Sequence, residues 1–160
     1  MTPEQYIQKL IEASEKKLIA LRIILDLTKE QASIINEDSV EEIERLISLK
    51  QVQIDSIDEL DSAFEVYYSR LKSVLGVESI EDIKVIQIKG AAELKQIVTT
   101  IFSTTKQIQS LEIDNKNRVQ EILSKLGNDI KRVRQSKIAN NGYNVAGNLP
   151  TPSYFFDTKK

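Results

Sequence analysis

The chain contains no histidine and no cysteine, which removes the commonest general base, the commonest transition-metal ligand and every thiolate. Four groups of residues remain that could do chemistry. Glu37, Asp38, Glu41, Glu42 and Glu44 form an acidic cluster that could attract a cation. They lack calcium-loop spacing, however, and stand where a helix begins, a position that favours negative charge by itself. Lys50 interrupts an apolar heptad otherwise occupied by Ile57, Phe64 and Leu71. Ile130, Val133 and Ile138 form an apolar strip edged by Lys131, Arg132, Arg134 and Lys137, and Tyr143, Tyr154, Phe155 and Phe156 follow it. These last two groups suit recognition of another protein. No catalytic residue, metal site or cofactor is expected, and the chain is read as a non-enzyme.

The elements that must position these residues are helices. Of 160 residues, 41% are hydrophobic and 29% charged, and the net charge is −2, as in an ordinary helical domain. The five Gly and three Pro are sparse, and half of them fall at or after Gly142. Thr2-Pro3-Glu4-Gln5 is a capping-box start for a first helix reaching about Asn36. Its expected buried stripe is Ile7, Leu10, Ile11, Ser14, Leu18, Leu21, Ile24, Leu25, Thr28, Ala32 and Ile35. Either Asp38 with Glu41 or Ser39 with Glu42 can cap a second helix that runs to about Leu75. That helix turns Val40, Ile43, Leu46, Ile47, Ile54, Ile57, Leu60, Phe64, Tyr67, Tyr68, Leu71, Val74 and Leu75 inward. Gly76 ends it, Ser79 caps a short helix of about Ile80 to Ile86, and a third long helix covers Ala91 to Ile138. The expected fold is all-α. It is an elongated antiparallel bundle of three long helices, with the short helix between the second and third and a flexible C-terminal tail. The domain reading is 1–138 for the bundle and 139–160 for the tail.

Lys50 bears on the register. The preferred reading of its side chain is that it lies at the edge of the seam and snorkels to water. The sharper one is a buried polar layer with a partner on the third helix. If the chain breaks near Gly90, Lys50 comes level with Glu112 and Asn115. If a helix runs unbroken from Ser79, Lys50 meets Thr104 and Thr105. Pairing one buried polar group with another favours the break. The second helix then begins opposite about Asn128, and the third overhangs to Ile138 by roughly 15 Å at 1.5 Å per residue. Apolar residues on an overhang, followed by aromatics in a segment with no helical stripe, suit capture of a partner by ordering on it.

Several stretches resemble the FlgN-type chaperones of flagellar type III export. They are the Asp38-Ser39-Val40-Glu41-Glu42-Ile43 turn, the Leu49-Lys50 step, Asn115-x-Asn117 ahead of a basic amphipathic helix, and the ending Tyr154-Phe155-Phe156-Asp157-Thr158-Lys159-Lys160. Many members of that family end in a Gly-rich stretch and an aromatic-aromatic-Ile-Asp-Lys-Lys motif. This chain has Phe156 for the Ile and Thr158 inserted before the lysines. The resemblance implies a non-catalytic cytosolic chaperone whose C-terminal part binds C-terminal helical regions of hook–filament junction (hook-associated) proteins and delivers them to the export apparatus. The alternative is a structural helical module that self-associates through the same strip. Nucleic acid is not an expected partner of an acidic chain without a reading motif. The N-terminus lacks an apolar signal core and no run reaches spanning length, so a cytoplasmic protein without membrane insertion is expected.

Overall fold

The computed structural model describes residues 1–36, 38–82 and 87–133. Three long helices account for most of them: α1 over Pro3–Ile34, α2 over Val40–Leu75 and α3 over Ala91–Val133. No strand occurs among the described residues. The expected continuation of α3 to Ile138 lies outside them. So do residues 83–86, where the short helix was expected to finish; the described part of that element is a single 3-10 turn at Ile80–Asp82.

Local chemistry sets the boundaries. At the head of α1 the Thr2 N–H donates to Gln5 Oε1 at 2.8 Å and the Gln5 N–H donates to Thr2 Oγ1 at 3.2 Å, a reciprocal capping box. Ser39 precedes α2, but its hydroxyl turns back on Asn36, accepting from its N–H at 3.0 Å and donating to its carbonyl at 2.9 Å. The Asp38 N–H donates to Asn36 Oδ1 at 2.8 Å. The turn is thus closed by its own side chains, and Glu42 pairs with Arg45.

Gly76 ends α2 at φ 67°, with the Val77 N–H reaching back to the Lys72 carbonyl at 3.1 Å. This is the bonding pattern of a glycine C-cap. Ser79 caps the 3-10 turn, accepting from the Glu81 N–H at 3.2 Å. Gly90, at φ 91°, breaks the chain immediately before α3. A Cβ there would lie 2.9 Å from Ile7 Cγ2 and 3.3 Å from Ile11 Cδ1, so both dihedral and space demand glycine. The break expected near Gly90 is present.

The chain divides into two compact units. In the unit of Met1–Arg22 and Gln53–Thr105, the core is Ile7, Leu10, Ile11, Leu71, Ile88, Ala91 and Leu94. Half-buried Tyr6, Phe64, Tyr67, Tyr68, Leu75, Val77 and Ile97 pack around it. Val74, expected inward, is 54% exposed, because Leu75 takes the inward place in the last turn before Gly76. The Lys17 ammonium, on α1, meets Asp61 Oδ1 on α2 at 2.7 Å.

In the unit of Ile23–Val52 and the chain from Lys106 onward, Ile35, Ile43 and Val119 are buried together. Ile34, Val40, Ile47, Ile122 and Leu123 pack against them. Here α1 and α3 run parallel at a nearly constant offset. Thr28 meets Glu112, Asn115 meets the Thr28 carbonyl, and Arg118 meets the Ala32 and Ile35 carbonyls, separations of 84, 87, 86 and 83 residues.

Most of the buried residues of α1 follow a strict seam. Ile7, Leu10, Ser14, Lys17, Leu21, Ile24, Thr28, Gln31 and Ile35 are all buried, in unbroken three-four alternation. Leu18, Leu25 and Ala32 are only half-buried. Ile11 and Ala20 are buried beside this seam, so the 3.5-residue repeat accounts for most of what is inside and the broader 3.6-residue face for the rest.

Candidate functional site

Two features of the second unit are candidates for function: a polar layer inside it and the end of α3. The layer draws on three helices. Lys50 on α2 has no exposed surface, and its ammonium donates to Glu112 Oε1 on α3 and, at 3.1 Å, to Gln31 Oε1 on α1. The edge position preferred from sequence is therefore wrong: Lys50 is enclosed because a carboxylate and an amide converge on it from both neighbouring helices. Thr28 Oγ1 lies 3.3 Å from Glu112 Oε1 and 2.7 Å from the Ile24 carbonyl. One hydroxyl proton serves one acceptor at a time, and the nearer is the carbonyl. Asn115 Nδ2 donates to the Thr28 carbonyl at 3.2 Å. Gln31 Nε2 and Asn115 Oδ1 have no hydrogen-bond partner among the described residues.

Burial pushes the Lys50 ammonium below the ordinary lysine range, while the Glu112 carboxylate works in the opposite direction. The alternative partners Thr104 and Thr105 donate instead to the Thr100 and Ile101 carbonyls of their own helix, at 2.9 and 2.8 Å. Such hydroxyls are satisfied locally and do not call for a lysine. The charges of the layer have no solvent access, and its contacts tie the three helices together.

Sequence reasoning missed Gln31 here and Lys17 in the other unit. Both stand on the three-four alternation of α1, and a strict heptad count would have found them. Asp61, the partner of Lys17, has its carboxyl raised by burial, against the lowering effect of the lysine. Among the described residues, no group of three acidic side chains is disposed to hold a metal.

At the other feature, Arg118 donates to the Ala32 and Ile35 carbonyls, the second at 3.4 Å, and binds α3 to the last turn of α1. The turn between α1 and α2 lies level with Arg118 to Leu123, earlier than the expected Asn128. The reason is the layer: ten residues back from Lys50 is Val40, and ten on from Glu112 is Ile122. Leu123 is the last α3 residue in the apolar cluster around the turn, and the helix continues for ten more residues to Val133. That is about 15 Å at 1.5 Å per residue. Ile130, Lys131, Arg132 and Val133 form its end, and Ile130 is half-buried. Asn117, Gln120, Glu121, Ser124, Lys125, Asn128 and Asp129 lie along one side of the same stretch. Arg134, Lys137, Ile138, Tyr143, Tyr154, Phe155 and Phe156 lie outside the described residues.

The sequence model of one protein family, described as FlgN protein, matches residues 1–151. The chain belongs to the FlgN family. FlgN proteins are flagellar export chaperones of the type III secretion pathway, a chaperone family and not an enzyme family. The FlgN match takes in the whole polar layer and the described part of α3, and stops before Tyr154. Comparisons with curated proteins and with solved structures return no match. No helix among the described residues is long and apolar enough to cross a membrane.

Proposed function

We propose that this FlgN-family chain is a cytoplasmic chaperone that holds the C-terminal helical regions of hook–filament junction proteins, prevents their premature association and delivers them to the export gate. Ile130, Val133 and Ile138 supply the apolar strip of the binding surface. Lys131, Arg132, Arg134 and Lys137 steer acidic amphipathic helices towards it, and Tyr143, Tyr154, Phe155 and Phe156 are aromatic anchors on a C-terminal tail, 139–160, separate from the bundle of 1–138.

The observation that supports this reading best is that α3 outruns the cluster at the α1–α2 turn by ten residues while still carrying apolar side chains. Burying two or three of them against a client helix contributes about 1.5 to 3 kcal/mol each. That is enough for micromolar binding after ordering costs. The experiment is calorimetric titration with peptides from the C-terminal helices of hook–filament junction proteins. Ile130→Asp with Val133→Asp should abolish the heat of binding and leave helicity and melting nearly unchanged. A folded double variant that binds with unchanged affinity would place the client elsewhere.

A further inference from the structure

The apolar seams of this protein repeat every seven residues, and a repeating seam does not by itself choose a register. In the second unit, Ile35, Ile43 and Val119 make one layer and Gln31, Lys50 and Glu112 the next polar one. Sliding α3 by one heptad would set Leu126 in the place of Val119, apolar for apolar. Loop length does not forbid the slide. The connection between α1 and α2 is a tight turn, but fifteen residues separate Leu75 from Ala91, ample for a helix displacement of about 10 Å. The polar layer does resist it. A slipped α3 would carry Glu112 away from Lys50 and leave a buried ammonium facing apolar side chains, which is strongly unfavourable.

We infer that the Gln31–Lys50–Glu112 layer is the register lock of α3, and that it thereby sets how far the end of α3 extends beyond the α1–α2 turn. The three side chains are buried and act as positioning residues. The inference concerns the extent of α3 whatever binds there, so it stands or falls separately from the proposed function. The layer carries a cost that a merely stabilising device would lack. Among the described residues Gln31 Nε2 has no partner beside the ion pair, and an apolar substitute of similar size would avoid that.

Because the chain contains no cysteine, introduced pairs report register without background. Ile35→Cys with Val119→Cys reads the native register, and Ile35→Cys with Leu126→Cys reads α3 slipped by one heptad. With the layer intact, only the first pair should cross-link on oxidation. In the background Gln31→Leu, Lys50→Met, Glu112→Leu, the second pair should gain a yield comparable with the first, in protein that remains helical and melts no lower. The exchanged pair Lys50→Glu with Glu112→Lys preserves the tie and should cross-link only through the first pair, which decides the matter if the apolar variant does not fold. Native cross-linking alone in the folded apolar variant would overturn the inference, showing that the fit of Gly90 against Ile7 and the apolar seam suffice. Mixed cross-linking in the exchanged pair would overturn it as well.

Discussion

Lys50 on α2 donates to Glu112 on α3 where the side chains are 0% and 2% exposed. Taking either partner alone leaves the other charged and enclosed, whereas taking both removes the problem. Lys50→Met or Glu112→Leu should each lower stability by about 3 to 5 kcal/mol, and the double substitution should recover most of that loss. Urea denaturation of the four proteins gives the coupling directly; additive losses would mean that the two groups do not depend on each other.

The same lysine predicts a pH dependence. Its folded pKa is depressed, so between that value and its ordinary 10.5 the unfolded chain holds a proton that the folded chain has released. Stability from this group therefore rises with pH through the window and is lost as pH falls through the folded pKa. The midpoint difference between the protein and the less stable Lys50→Met should widen as pH approaches 10.5. Parallel curves would contradict it.

Asp61 behaves in the opposite sense. Burial raises its folded pKa above the ordinary 3.8, so the folded chain is the one that keeps the proton across that window. Its contribution is present at lower pH and declines as pH rises through the folded value. Asp61→Asn should flatten that part of the acid-side stability profile, and an unchanged slope would show that the carboxyl does not titrate differently on folding.

Gly76 and Gly90 both have positive φ, but only Gly90 is crowded. Gly76→Ala should lose about 1 kcal/mol through backbone strain alone. Gly90→Ala adds a contact of 2.9 Å with Ile7 and should lose clearly more. Thermal melts of the two variants compare them, and equal losses would mean that the contact relaxes without penalty.

Tail and charge variants separate binding from folding. Deleting 143–160 should leave the thermal midpoint nearly unchanged, and a fall of many degrees would make the tail part of the core. Tyr154→Ala with Phe155→Ala should weaken client binding through lost anchors. Arg132→Glu with Arg134→Glu should chiefly slow association and weaken its salt dependence, as stopped-flow rates would show. A change confined to dissociation would argue against steering.

Helix identity, the capping box at Thr2 and Gln5, and the stops at Gly76 and Gly90 were legible in the sequence. They depend on neighbours a few residues away: a hydroxyl three residues from an N–H, a residue without Cβ at positive φ. The level of Lys50 with Glu112 and Asn115 was legible too, since a break at Gly90 leaves one arrangement in which buried polar groups answer each other. The family was also readable from the turn at Asp38 to Ile43 and the aromatic ending, and the match over 1–151 shows it. What only the tertiary structure decided was enclosure. Whether Lys50 reaches water, whether Lys17 and Gln31 take the seam in place of Leu18 and Ala32, and whether Ser39 bonds forward or back depend on side chains that arrive from distant sequence. Helical periodicity assigns a residue to a face about a third of a turn wide, and the partners converging on that face determine which of its members lose solvent.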